Sequence, residues 1–267
     1  VPDNKKGIFM KLNFSDLKAK ARGCLEGRYA TILTAYVFAR FLTNLPTLLL
    51  SYMPVSNPYM ANILDICMAL VVSCLTAIFV VGQNRICLKY ARSRDLVPVK
   101  EMWYGFRHLA DQTIITYFLM VIRMLIPSVP FIVCMYLLST DLANPAYMVA
   151  AIITGIFMLV ADLIIYLDYT LVYFLIPDHP DMDPKAVLAK SKELMKGRRL
   201  TYLGLLASFI GMYLLGILSF GIGLFWVCPY IKMTVTSFYL QAIGEKTETE
   251  QLLDGKLENP DFFKEVY

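Results

Sequence analysis

Charge is what this sequence has least of. Asp, Glu, Lys and Arg make up 17% of the chain against 58% hydrophobic residues, whereas soluble domains carry roughly 25% charged residues. That balance excludes an ordinary water-soluble globular class and leaves an integral membrane protein. Histidine is nearly absent: only His108 and His179 occur. The six cysteines (Cys24, Cys67, Cys74, Cys87, Cys134 and Cys228) form no C-x-x-C pair, so they read as small hydrophobes, without the spacing of a zinc site or a disulfide framework. There is no G-x-S-x-G, no H-E-x-x-H and no Walker glycine loop. With no cytoplasmic stretch long enough for a separate active site, the chain is expected not to be an enzyme, and no cofactor or metal is expected. Asp178, His179, Asp181 and Asp183 gather hard ligands, yet a helix-entry loop of caps and prolines accounts for them more simply.

Long apolar runs are what the sequence has in abundance. About 20 residues cross the hydrocarbon at 1.5 Å each, and six runs qualify: about 29–53, 59–81, 113–138, 147–176, 202–218 and 224–240. Pro46 is expected to kink the first and Pro127 and Pro130 to interrupt the third. The connecting turns read PVSNP, TDLANPA and SFGIG. The expected fold is therefore all-α, with six transmembrane helices in three hairpins, each preceded by a cytoplasmic amphipathic helix. Residues 1–28 form an N-terminal segment and interfacial helix, 29–243 the membrane domain, and 244–267 an acidic cytoplasmic tail. No cleavable signal peptide is read, because the basic start leads into an apolar run that carries Arg40. Residues 1–9, ahead of Met10, are set aside from the fold.

Lys and Arg distribution gives the orientation. Residues 1–28 hold seven, 83–112 six, 177–200 six and 241–267 three, and the three opposite turns hold none. Both termini are thus expected in the cytoplasm. Ser15 reads as a cap of the first helix, Asp183 followed by Pro184 as the cap and first turn of another, and Gly197 as its end. Trp103 and Tyr104 suit the interface of a second linker helix over roughly VPVKEMWYGFRHLADQ. LKAKARGCLEGRYATIL, VKEMWYGFRHLADQTII and LAKSKELMKGRRLTYLGLL share an order of helix, glycine, basic residue and apolar run, the mark of an internal repeat. Gly211 with Ala207 gives a small-residue face in the fifth span.

Arg40, Arg123 and Lys232 stand within spans, as do Asp65, Asp162 and Asp168. A charge at mid-bilayer costs at least about 2.5–3.5 kcal/mol, so each should pair, snorkel or line water. Depth pairs Arg123 with Asp162. Two readings follow. In one, these residues are ion pairs and snorkelled ends that set helix register. In the other, Arg40, Arg123, Asp162, Asp168 and Lys232 surround a polar mid-membrane cavity for an anionic headgroup or small anion.

The stretch 164–243 carries a family likeness in Tyr173, PDHPDMDP, SKELMKG (191–197), LASFIGMYLL, GIGLFWVCPY (221–230) and the closing Phe238 and Tyr239. On these residues the chain resembles a family of multi-pass membrane proteins catalogued as domain of unknown function 975. Met212 stands where that family often has tryptophan, and its I-P-G appears as Ile126-Pro127-Ser128. The resemblance implies a six-span protein of the bacterial cytoplasmic membrane and no particular activity. The expected role is a non-enzymatic binding, scaffold or accessory protein of a membrane or envelope system. The alternative is a carrier or channel, a possible transporter of an anionic lipid or small amphipathic solute. Expected partners are membrane lipids and another membrane protein or a second copy, with no nucleic acid.

Overall fold

A computed structural model describes residues 14–52, 57–93, 97–141 and 144–245, and every regular element among them is helical. Residues 1–9, Met10, most of the turn 54–58 and most of the tail 244–267 lie outside the described residues. In chain order the helices are α1 (Phe14–Leu25), α2 (Tyr29–Ser51) and α3 (Pro58–Arg92), then a 3-10 turn (Val99–Trp103) and α4 (Tyr104–His108). There follow α5 (Ala110–Thr140), α6 (Pro145–Tyr169), α7 (Val172–Asp178) and α8 (Pro184–Met195). The last are α9 (Arg199–Ala207), α10 (Ile210–Leu218) and α11 (Leu224–Ile243).

Among the described residues, five stretches are long and apolar enough to cross a membrane: 29–49, 58–92, 110–140, 145–178 and 199–218. Along α5 and α6 large apolar side chains stand exposed, Ile126 at 67% and Leu159 at 66%. Soluble proteins do not carry contiguous faces of that kind, and a hydrocarbon solvent is what suits them. The chain is a helical membrane protein. The sixth expected span, 224–240, is helical but is not among the five apolar stretches. Lys232, Thr234, Thr236 and Ser237 lower its hydropathy, and residues 233–240 are all buried by protein.

The described residues fall into two compact units. The first is drawn from 1–38, 83–101 and 200–267. In it, α1 buries Leu17, Ala21, Cys24 and Leu25, the i, i+4, i+7, i+8 stripe of an amphipathic helix, and packs on α11. Ser15 does not cap this helix: it lies inside the first turn, its hydroxyl 3.4 Å from Asp16. Gly27 turns the chain with a positive φ of 73°, so Arg28 can donate to the carbonyls of Tyr90 (3.1 Å) and Ser93 (3.0 Å). Those oxygens belong to the end of α3, where carbonyls lack intrahelical donors. Lys18 serves the break between α9 and α10 in the same way: its Nζ donates to the Ser208 carbonyl at 3.0 Å and sits 4.3 Å from the centre of the Phe209 ring. That break also ends the expected Ala207–Gly211 face, because the two residues are on separate helices. In α11 the hydroxyls of Thr234, Thr236 and Ser237 donate back to the carbonyls four residues earlier.

The second unit is drawn from 39–82 and 102–199. Its spine is α5 against α6, the two joined by a short turn in which the Asn144 side chain accepts from Ala146 N at 3.0 Å and Pro145 opens the helix. Pro127 and Pro130 do not interrupt α5, which is continuous through both, as α2 is through Pro46. Membrane helices tolerate proline where neighbouring groups satisfy the freed carbonyls. The fourth expected span is broken after Tyr169 into α6 and α7. The break frees the Asp168 carbonyl, and Ser191 of α8 donates to it at 2.7 Å. Asp183 caps α8 as expected, accepting from Lys185 N at 3.1 Å, and Gly197 follows with φ 79°.

The second linker helix departs from expectation, being a 3-10 turn and a short helix. Its Gly105 has no positive φ, unlike Gly27 and Gly197. This glycine serves close approach instead. A Cβ at Gly105 would meet the Ile78 carbonyl at 2.8 Å, and one at Gly82 would meet the Met102 carbonyl at 2.1 Å. The linker thus lies directly on the α3 backbone, with Trp103 edge-on to Phe79 at 5.9 Å between centroids.

Candidate functional site

Helix α3 presents one face made of small, apolar and hydroxyl residues. Asp65, Met68, Ala69, Val72, Ser73, Thr76, Ala77 and Val80 follow a 3, 1, 3, 1, 3, 1, 3 spacing, which is one side of an α-helix. These eight residues line a cavity of about 680 Å³ in the second unit. Thr47 of α2, Tyr117 of α5 and Tyr173 of α7 complete its wall. Small-molecule sites commonly enclose about 300–1,000 Å³ and are mostly apolar with a few convergent polar groups.

The wall is graded along its length. Asp65, Ala69 and Thr47 are exposed, Met68, Val72, Ser73, Thr76, Val80, Tyr117 and Tyr173 are half-buried, and Ala77 is buried. Asp65 to Val80 covers about 22 Å of helix axis at 1.5 Å per residue. The exposed end of the α3 face thus carries the carboxylate, while Ala77 toward its other end is buried. Among the described residues, Asp65 is the only charged one on the cavity wall. The Thr76 hydroxyl is spent on the Val72 carbonyl at 2.7 Å and that of Ser73 on Leu70 at 2.8 Å. Each retains lone pairs that can accept from a ligand.

None of the five expected site residues lines this cavity. Arg40 is exposed on α2. Arg123 donates to the Tyr169 hydroxyl and lies 5.4 Å from the centre of that ring. The expected pair with Asp162 is not formed: the carboxylate Oδ1 is buried with no hydrogen-bond partner. Asp168 is held by Arg199, Nε to Oδ1 at 2.6 Å, with the carboxylate side chain only 7% exposed. Lys232 belongs to the other unit, where it donates to Gln83 Oε1 at 3.1 Å beside Tyr36, Cys87 and Pro229. Among the described residues, no ring of cations is brought together within either unit.

Hydroxyl-bearing Thr47, Ser73, Thr76 and Tyr117 were not singled out from the sequence. The signal was present in the regular i, i+3, i+4 recurrence of small and hydroxyl residues through an otherwise bulky apolar span. Tyr173 entered only through the family likeness. Outside the spans, Glu101 takes an ion pair from Lys89 at 2.9 Å and from Arg85 at 3.2 Å. The Lys89 hydrogen bond holds its carboxyl below the usual glutamate range, with burial acting the other way.

Residues 10–246 match the profile of a protein family described as of unknown function, DUF975. The match extends well beyond the 164–243 stretch on which the likeness was first read. No curated protein and no solved structure matches the chain.

Proposed function

From the premise that this chain belongs to the DUF975 family, which carries no assigned activity, we propose that it is a non-enzymatic membrane protein that binds one amphipathic molecule in the α3 cavity. The observation that carries the reading is the cavity itself: about 680 Å³, an apolar wall, and six side chains with polar tips. A scaffold needs no such space, since dry helix packing serves it better. Six spans in three hairpins, with α1 and α8 on the cytoplasmic surface and both termini cytoplasmic, form the topology that goes with this function. The Lys and Arg asymmetry supports it. So do the matched αL glycines, Gly27 after α1 and Gly197 after α8, which support a duplicated entry module.

A second reading, a carrier, is favoured by the grading of the wall from an exposed end to a buried one. An anionic cargo is the least suited to it, because no Lys or Arg among the described residues lines the space. The test is native mass spectrometry of protein released from a neutral detergent. A lipid-like molecule should accompany the wild type and be lost from Ala69→Trp, which fills the exposed end. Equal occupancy of folded Ala69→Trp and wild type would sink the proposal.

A further inference from the structure

Asp65 is the anomaly of the cavity. It lies seven residues beyond Pro58, about 10 Å along α3, inside a stretch of mean hydropathy 2.5. A carboxylate at such a place is costly and is expected to have a partner or to face water. Among the described residues it has neither an ion-pair nor a hydrogen-bond partner, unlike Asp168 with Arg199. Its side chain contributes to the cavity wall, and every other polar group on that wall is a neutral hydroxyl. Beyond Asp65 the wall continues through Met68, Ala69 and Val72 to Thr76, about 16 Å of helix axis.

We infer that the ligand is an amphipathic cation: an amine or quaternary ammonium head at Asp65, with an alkyl or aromatic body along α3 toward Tyr117 and Tyr173. The inference rests on the proposal that the cavity is the binding site and adds the sign of the ligand's charge. A ligand ammonium supplies the counter-charge that the protein withholds, and its apolar body covers wall that a hydrated metal ion would leave bare. A lone carboxylate is a poor cage for a divalent ion, and no group of three or more candidate ligands occurs among the described residues. An anion would meet Asp65 with no lining cation among the described residues to offset the repulsion.

Three probes with one chain length and different heads separate the cases: dodecylamine, dodecanol and dodecanoate, each titrated at neutral pH into full-length protein and read by native mass spectrometry. Wild type should bind dodecylamine about tenfold more tightly than dodecanol, with dodecanoate weakest. Asp65→Asn should remove that preference while leaving dodecanol unchanged. Ala69→Trp should weaken all three. Gel filtration and melting temperature establish that both variants are folded. Equal binding of amine and alcohol to wild type, or an amine preference that survives Asp65→Asn, overturns the cationic assignment and leaves the cavity reading standing. If folded Ala69→Trp binds all three as wild type does, the cavity reading falls, and the assignment falls with it.

Discussion

Adding one methyl group at Gly82 should be enough to lift the linker off α3. The built Cβ would lie 2.1 Å from the Met102 carbonyl oxygen, with the carbonyl carbon at 2.9 Å and Cα at 3.0 Å. An ordinary van der Waals contact begins at 3.4 Å, so Gly82→Ala requires the two segments to part by about 1.3 Å. The obstructing atoms are backbone, and no rotamer change relieves them. Overpacking of this sort costs about 1–3 kcal/mol, and a backbone obstacle puts it at the upper end. Replacing glycine within a helix returns about 1 kcal/mol of propensity, which leaves about 2 kcal/mol of net destabilisation. For a chain of this size that is a fall of about 4–8 °C in melting temperature. Gly211→Ala is the matched control, since nothing lies within 4 Å of its built Cβ. It should be neutral or gain up to about 1 kcal/mol. Thermal unfolding of both variants in one detergent decides the matter. A Gly82→Ala protein as stable as Gly211→Ala would refute the close approach of the linker to α3.

The Asp168–Arg199 pair should show a coupling of about 1–2 kcal/mol in a double-mutant cycle of Asp168→Asn and Arg199→Gln. That is below the 3–5 kcal/mol of a fully buried pair, because Arg199 remains 35% exposed; a coupling near zero in denaturant titrations would remove the pair from the stability of the fold. Glu101→Gln should cost about 0.5 kcal/mol at pH 7. The folded carboxyl is held below its ordinary value, so its contribution is present above the unfolded pKa of about 4.3 and is lost as pH falls through the folded value. Melting curves of wild type and Glu101→Gln should therefore converge once the pH has fallen through the folded value, and a gap that persists in acid beyond it counts against the ion pairs. Lys18→Met should lose about 1 kcal/mol by leaving the Ser208 carbonyl without its donor, and hydrogen exchange should rise at the α9–α10 junction rather than along α5.

How much could be read in advance divides along physical lines. Apolar length is written directly into composition, so the helical class and most spanning stretches were legible. Local capping was legible where a side chain acts on its own turn, as Asp183 does on Lys185 N. The 3-10 turn at 99–103 was not. Its Met102 carbonyl lies against Gly82, a residue distant in sequence. The breaks after Tyr169 and Ala207 were hidden for the same reason, since Ser191 and Lys18, which compensate the freed carbonyls, come from other helices. For residues 224–240 the surroundings were not legible, because apolar side chains suit a protein interior as well as lipid. Only their neighbours reveal that residues 233–240 are buried.

Charge pairing shows where depth alone fails as a guide. Arg123 and Asp162 were matched because both stand at similar distances from the inner ends of adjacent spans. The structure sends the guanidinium to Tyr169 instead, seven residues beyond Asp162. Seven residues are nearly two turns, so both lie on the same face of α6 but about 10 Å apart along its axis. Asp162 and Tyr169 thus share a side of α6 and differ in height. Arginine has a long apolar stem and moves its head toward the end of the membrane helix. An aspartate has no comparable reach. The cations consequently find neutral acceptors, Tyr169 for Arg123 and Gln83 for Lys232. Asp65 finds none among the described residues, because its short side chain cannot leave the wall on which α3 places it.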